Sequence, residues 1–243
     1  MEKHENLLAG KKVVITGASR GIGRALADSF AARGCRLFLC SRNEVNLYNA
    51  VAALQTRYPD TSIKARAANL SDKSAAIEFG QWVNQEGGAT DILINNAGTF
   101  QPGSVYNEPD GHLEEMMAIN LYSAYHLTRV LLPPMMTAKS GQIFNICSIA
   151  ALQAYANGGG YSISKFAMLG FSKNLREELK PYHIKVCAVS PGAVHTDTWG
   201  DFDNSNRRIM EAADVAATIL AAAQLSPAAV VEDIVLRPQL GDL

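Results

Sequence analysis

The chain of 243 residues sets 22 Lys and Arg against 23 Asp and Glu, a formal net charge of −1, and is 48% hydrophobic and 19% charged. That balance excludes the broad basic field that draws nucleic acid or anionic lipid, and it argues against disorder. The length suits one large α/β domain, and residues 1–243 are expected to form it.

In chain order, KVVITG (12–17) reads as a strand, GRALADSFAARG (23–34) as a helix stopped by its glycine, and CRLFLCS (35–41) as the next strand. A helix at 44–58 ends before Pro59, followed by SIKARAANL (62–70), a helix at 74–85 and strand DILINNAG (91–98). A long helical region then runs from about 111 to 139, before QIFNICS (142–148), a helix at 161–182 and strand IKVCAVSPG (184–192). A helix at about 211–225 and DIVLRP (233–238) complete the chain. Seven alternations of strand and helix predict a doubly wound, seven-stranded parallel sheet of Rossmann type with helices on both faces. Segments 99–110, 149–160 and 193–210 read as irregular, and each follows the carboxyl end of a strand, where such sheets bind ligands.

The opening MEKHENLLAGKK places charges around a short apolar patch and lacks the apolar core of a secretion signal. VAATILAAAQL near the C-terminus is too short to span a membrane. Cys35, Cys40, Cys147 and Cys187 show no CxxC spacing, so buried, reduced thiols and a cytoplasmic setting are expected. No group of His, Cys, Asp or Glu has a metal spacing, and no metal is expected.

TGASRGIG (16–23) joins the first strand to the first helix, where Gly17, Gly21 and Gly23 let the backbone approach a pyrophosphate at a helix N-terminus. Where an NAD site would place a carboxylate, the second strand ends in Ser41-Arg42-Asn43. Arg42, with Arg20 in the turn, offers forked donors to a 2′-phosphate, which favours NADP(H) over NAD. Tyr161 and Lys165 lie four apart on one helical face, so an ammonium can act on a phenol. Such an ammonium is expected to lower the phenol pKa, so that the residue gives a proton to an alkoxide or takes one from an alcohol. Ser148 ends a strand, and the loop from it to Tyr161 can bring both hydroxyls to one oxygen. The glycines at 158–160 serve either as a tight bend or as a flexible hinge. His195 reads as structural or exposed, and Trp199 and Phe202 as a lid over an apolar pocket or as packing for the 193–210 loop.

TGASRGIG, NNAG (95–98), Asn120, Ser148, YSISK (161–165) and PGAVHT (191–196), in this order over nearly the whole chain, resemble the short-chain dehydrogenase/reductase family. VVEDIVLRPQLGD and PGAVHTDTW resemble its bacterial sepiapterin reductases and related carbonyl reductases. The resemblance implies that Tyr161 is the acid/base, with Lys165 its partner and holder of the nicotinamide ribose. It further implies that Ser148 binds the reacting oxygen and that Asn120 anchors a water linking Lys165 to solvent. On the cofactor side it implies Ser19, Ile22, Asn96 and Leu70 as contacts. Asn95, Ala97 and Gly98 would shape a wall, while Pro191, Gly192, Val194 and Thr196 would line the nicotinamide. Asn69 stands where many relatives carry an aspartate for the adenine amino group, and its carbonyl can accept the same bond.

The implied activity is NADP(H)-dependent hydride transfer between a carbonyl and an alcohol, on a small ketone or a pterin-type substrate. A 3-oxoacyl thioester reductase and a non-catalytic NADP-binding sensor are the rivals. An acyl-carrier substrate would favour a basic patch, and 193–210 offers Arg207 and Arg208 against Asp197, Asp201 and Asp203. Self-association as a homodimer or homotetramer is implied through helices at 111–139 and 161–182.

Overall fold

Alternation along the first strand decides the layering. In β1 (Lys12–Thr16), Val13 and Ile15 enter one apolar cluster and Val14 enters another, all fully buried. The computed structural model describes residues 7–242, so residues 1–6, part of the segment read for a secretion signal, lie outside the described residues. The strands β2 (Arg36–Ser41), β3 (Ile63–Ala67), β4 (Ile92–Asn95), β5 (Gly141–Ile146) and β6 (Ile184–Pro191) follow, then β7 (Val194–His195), β8 (Met210–Glu211) and β9 (Asp233–Leu236). Seven of them form one sheet in the order β3-β2-β1-β4-β5-β6-β9, parallel throughout.

Helices α1 (Gly21–Ala31), α2 (Glu44–Arg57) and α7 (Ala212–Ala223) cover the Val13 face through Phe30, Leu54 and Ile219. On the Val14 face, α3 (Lys73–Gln85), α5 (Ser123–Ala138) and α6 (Gly159–Leu179) pack Phe79, Leu131 and Leu175. The strand order reverses between β1 and β4, which opens a crevice beyond their carboxyl ends.

Two features depart from the sequence expectation. The region 111–139 is α4 (His112–Met117), a π-helical turn at Ala118–Tyr122, then α5, which continues through Pro133 and Pro134. The irregular segment 193–210 is pinned at both ends by the pairing of Val194 with Met210 and His195 with Glu211. Two-residue strands carry too short an alternation to be read from sequence.

Candidate active site

The first helical turn of α6 carries Tyr161, and Lys165 follows one turn later on the same face. After β5 the chain passes through Ser148 into a 3-10 turn, Ile149–Ala151, where Ser148 Oγ accepts the Ala150 N–H at 3.1 Å. Ser162 Oγ donates to the Ala150 carbonyl at 2.8 Å, stitching this turn to α6. The Ser148 side chain is thereby brought near enough to Tyr161 for its hydroxyl to stabilise the phenolate by hydrogen bonding. Lys165 Nζ donates to the Ile146 carbonyl at 3.0 Å and stands 5.7 Å from the centre of the Tyr161 ring. All three side chains line a cavity of about 590 Å³.

The electrostatics differ in sign from the sequence expectation. Burial pushes the Tyr161 phenol above its ordinary value of 10, and the Ser148 hydrogen bond offsets this only in part. Burial also pulls the Lys165 ammonium down to about 8. The i,i+4 spacing showed that the groups meet but carried no information on desolvation. The cavity-lining Cys147 thiol is pushed up to about 11 by burial, and the other three free cysteines to about 12, which leaves little nucleophilic thiolate.

Asn120 sits in the π-helical turn and is buried. Its Oδ1 accepts the Thr99 N–H at 2.8 Å, while Nδ2 donates to the Thr99 carbonyl at 3.1 Å and to Ser164 Oγ at 2.9 Å. The side-chain amide thereby braces the 99 loop against α6. A Cβ on Gly98 would stand 3.0 Å from Asn120 Oδ1 and 3.5 Å from Lys165 Nζ, so a glycine lets the loop lie against both.

On the cofactor side, Gly17 (φ +65°) and Gly21 (φ +53°) turn the chain into α1, whose N-terminus no side chain caps. A Cβ on Gly23 would lie 2.2 Å from the Gly17 carbonyl, so the turn closes only with glycine there. Those uncapped amides at the β1/β4 crevice fit a pyrophosphate. Ser19 and Ser41 hydroxyls meet at 2.9 Å, bringing the turn beside the end of β2, where Arg42 is exposed. Thr196 lies across from Gly21, its Cγ2 being 3.0 Å from where a Cβ would stand. Ile22, Asn96, Gly98, Pro191, Gly192, Val194 and Thr196 reach the cavity.

Four of the expected residues, Asn95, Arg20, Asn69 and Leu70, make contacts within the protein. Asn95 faces the core: its Nδ2 donates to Thr128 Oγ1 at 3.0 Å and to Asn145 Oδ1 at 2.8 Å, so it ties β4 to α5 and β5. Asn96 supplies the wall, donating from Nδ2 to the Thr16 carbonyl at 2.9 Å, while Ala97 N–H donates to Thr16 Oγ1 at 2.9 Å. Arg20 pairs with Asp197 of the 193–210 loop at 3.5 Å, between two exposed side chains. Asn69 Oδ1 accepts from Ser71 Oγ at 2.9 Å, and Leu70 is buried in the core.

The 193–210 loop and the chain end were only partly legible. Trp199 and Phe202 pack ring to ring at 5.2 Å, and Trp199 also lines the cavity. His195 is half-buried, with Nδ1 3.9 Å from Glu211 Oε2. Arg208 donates to the carbonyls of Gly241 and Asp242 at 2.9 and 3.0 Å, and Asp242 pairs with Arg237. Arg237 and Asp242 thus form a polar wall of the cavity that no motif announced.

Residues 11–207 match the model of the short chain dehydrogenase family. The chain belongs to that family. It is an oxidoreductase. It is 32% identical to a sepiapterin reductase of Chlorobaculum tepidum over 95% of this chain and 97% of that one. It is also 32% identical to a 3alpha-hydroxysteroid dehydrogenase of Mediterraneibacter gnavus, over 79% of this chain and 76% of that one. Among solved structures, a metagenomic short-chain oxidoreductase in complex with NADP superposes with a TM-score of 0.84 at 29% identity, covering 96% of this chain and 98% of the other.

Proposed function

We propose that this oxidoreductase uses NADP(H) to interconvert a carbonyl and an alcohol, with a small ketone or a pterin-type compound as substrate. The observation that carries the reading is that Ser148 and Tyr161 share the wall of one cavity, with the Lys165 ammonium 5.7 Å from the centre of the Tyr161 ring. When bound, the nicotinamide supplies the hydride in reduction and takes it in oxidation. Tyr161 gives its proton to the carbonyl oxygen as negative charge develops there, and the Ser148 hydroxyl donates a second hydrogen bond to that oxygen. The Lys165 ammonium offsets the phenolate left behind. Burial keeps Tyr161 protonated at neutral pH, so the phenol holds the proton that reduction requires.

The arginine at the end of β2, with no carboxylate there, supports a 2′-phosphate, and so does the NADP complex of the metagenomic neighbour. Phe100 stands edge-on to Tyr161 at 4.8 Å, and the cavity lining combines the apolar Phe100 and Trp199 with the polar Arg237 and Asp242. A compact ketone carrying a flat or polar ring suits such a lining. Of the two arginines that could serve an acyl carrier, Arg208 is engaged by the carbonyls of Gly241 and Asp242, which leaves Arg207 exposed among Asp197, Asp201 and Asp203 and favours the small-ketone reading. Exposed Tyr122, Tyr125, Ile163 and Phe166 on α5, α6 and the π-helical turn support self-association through that face, as a homodimer or homotetramer. Among the described residues no helix is long and apolar enough to cross a membrane. With four buried free thiols, a cytoplasmic setting is the proposed one.

The test is NADPH consumption against a panel of ketones, diketones, sepiapterin and acyl thioesters. Turnover of a ketone or sepiapterin is expected. A preference for thioesters would move the substrate to the rival class, and cofactor binding without consumption across the panel would refute catalysis.

A further inference from the structure

The glycines before Tyr161 answer to a side chain from a different loop. Glu108, between β4 and α4, is only 10% exposed, and its Oε1 accepts the Gly160 N–H in the first turn of α6 at 2.8 Å. A Cβ on Gly159 would stand 1.7 Å from that oxygen and 2.5 Å from the Gly103 carbonyl, and Gly159 itself holds φ +31°. A Cβ on Gly160 would meet His112 Cδ2 at 3.2 Å and Leu113 Cα at 3.3 Å. The carboxylate therefore fills space that a side chain at 159 would need, while α4 crowds position 160. The same loop is fastened to the residue before the glycines. Gly103 N–H donates to the Asn157 carbonyl at 3.1 Å, and Ser104 Oγ donates to Asn157 Oδ1 at 2.7 Å. His112 Nε2, buried and without a hydrogen bond, stands 3.9 Å from Glu108 Oε1.

This contact fixes where α6 begins. Tyr161 follows Gly160 directly, and Ser148 reaches it from the opposite side through the 149–151 turn. A hinge of three glycines would let the phenol wander, whereas a carboxylate seated on helical amides holds the first turn by charge-assisted bonding. We propose that Glu108 is a positioning residue for the Tyr161 acid, setting the first turn of α6 and through it the place of the phenol against Ser148. The inference rests on the reading of Tyr161 as the acid.

The test measures steady-state reduction, NADPH affinity by fluorescence titration, and thermal midpoint for wild type, Glu108→Ala, Glu108→Gln and Gly159→Ala. Glu108→Ala should lower kcat about tenfold or more, as expected when a reacting group is displaced. KM and NADPH affinity should stay within about twofold of wild type. Glu108→Gln keeps an acceptor oxygen and should recover most of kcat. Gly159→Ala should cost less in the Glu108→Ala background than alone, because the carboxylate it would strike is gone. If Glu108→Ala does not fold, Glu108→Asp, which keeps the charge but not the reach, must show the same kcat-selective loss. The proposal is overturned if folded Glu108→Ala keeps wild-type kcat, or if Glu108→Gln is as impaired as Glu108→Ala. It is also overturned if the loss lies in NADPH affinity alone. Wild-type turnover in the same assay reports on Tyr161 chemistry separately, and its absence on the whole panel would sink both readings.

Discussion

Two buried lysines stand at opposite ends of the sheet. Lys12 opens β1 at the amino end, and Lys165 lies beyond the carboxyl ends, yet burial brings both ammonium groups down to about 8. Lys12 Nζ donates to the carbonyls of Val83, Gly87 and Gly88 at 2.5, 3.2 and 3.1 Å, at the end of α3, and lies 4.8 Å from the centre of the Phe38 ring. Lys165 donates to Ile146 and otherwise faces a cavity that it shares with Tyr161 and Ser148. The comparison teaches that a displaced pKa does not mark a site by itself. What distinguishes the catalytic end is a neighbouring proton carrier and room for a substrate; the other end is a closed helix cap.

That contrast can be broken by mutation. The largest effect is expected at the carboxyl end: Tyr161→Phe should lower kcat by about 10³-fold, the scale of a positioned acid, with NADPH binding retained in a fluorescence titration. Retained turnover would remove the phenol from the mechanism. At the amino end, Lys12→Met strands three carbonyls and should cost about 3 kcal/mol of stability, seen as a melting midpoint lower by about 6–12 °C. Its kcat at 25 °C should match wild type, and a large fall in kcat would mean that the two ends are coupled.

Arg42→Asp sharpens the cofactor side, where Arg20 is already paired with Asp197. It should weaken NADPH relative to NADH by about tenfold, and an unchanged ratio would exclude Arg42 as the phosphate reader. The smallest effect is expected from Arg208→Ala, which frees the carbonyls of Gly241 and Asp242. It should raise KM for the carbonyl substrate about threefold with kcat unaltered.

Much of the architecture was legible because buried parallel strands such as VVIT, LFLC and ILIN carry continuous apolar runs, and the helices between them carry clear stops. Tyr161 and Lys165 were legible as a pair because their four-residue spacing on a regular helix fixes a shared face, and Ser148 by its place at a strand end, while their roles came from the resemblance to a family. What escaped notice depends on contacts between segments distant in sequence. Glu108 lies in an irregular stretch 52 residues before Gly160, and only the fold shows that the glycines accommodate it. Asn95 and Asn96 are adjacent in one motif, but strand alternation sends the first into the core and the second to the crevice. Arg208 and Asp242 meet through main-chain carbonyls, which leave no side-chain pattern to read.

The central claim is that the Lys165 ammonium must carry its charge for Tyr161 to act as the acid, and the pH dependence of kcat/KM for carbonyl reduction tests it most directly. Since burial raises the phenol, Tyr161 stays protonated through neutral pH, while Lys165 loses its proton on rising through about 8. The rate should therefore be level below about pH 7 and fall towards tenfold per unit above about pH 8. A profile that stays flat to about pH 9.5 would contradict the account.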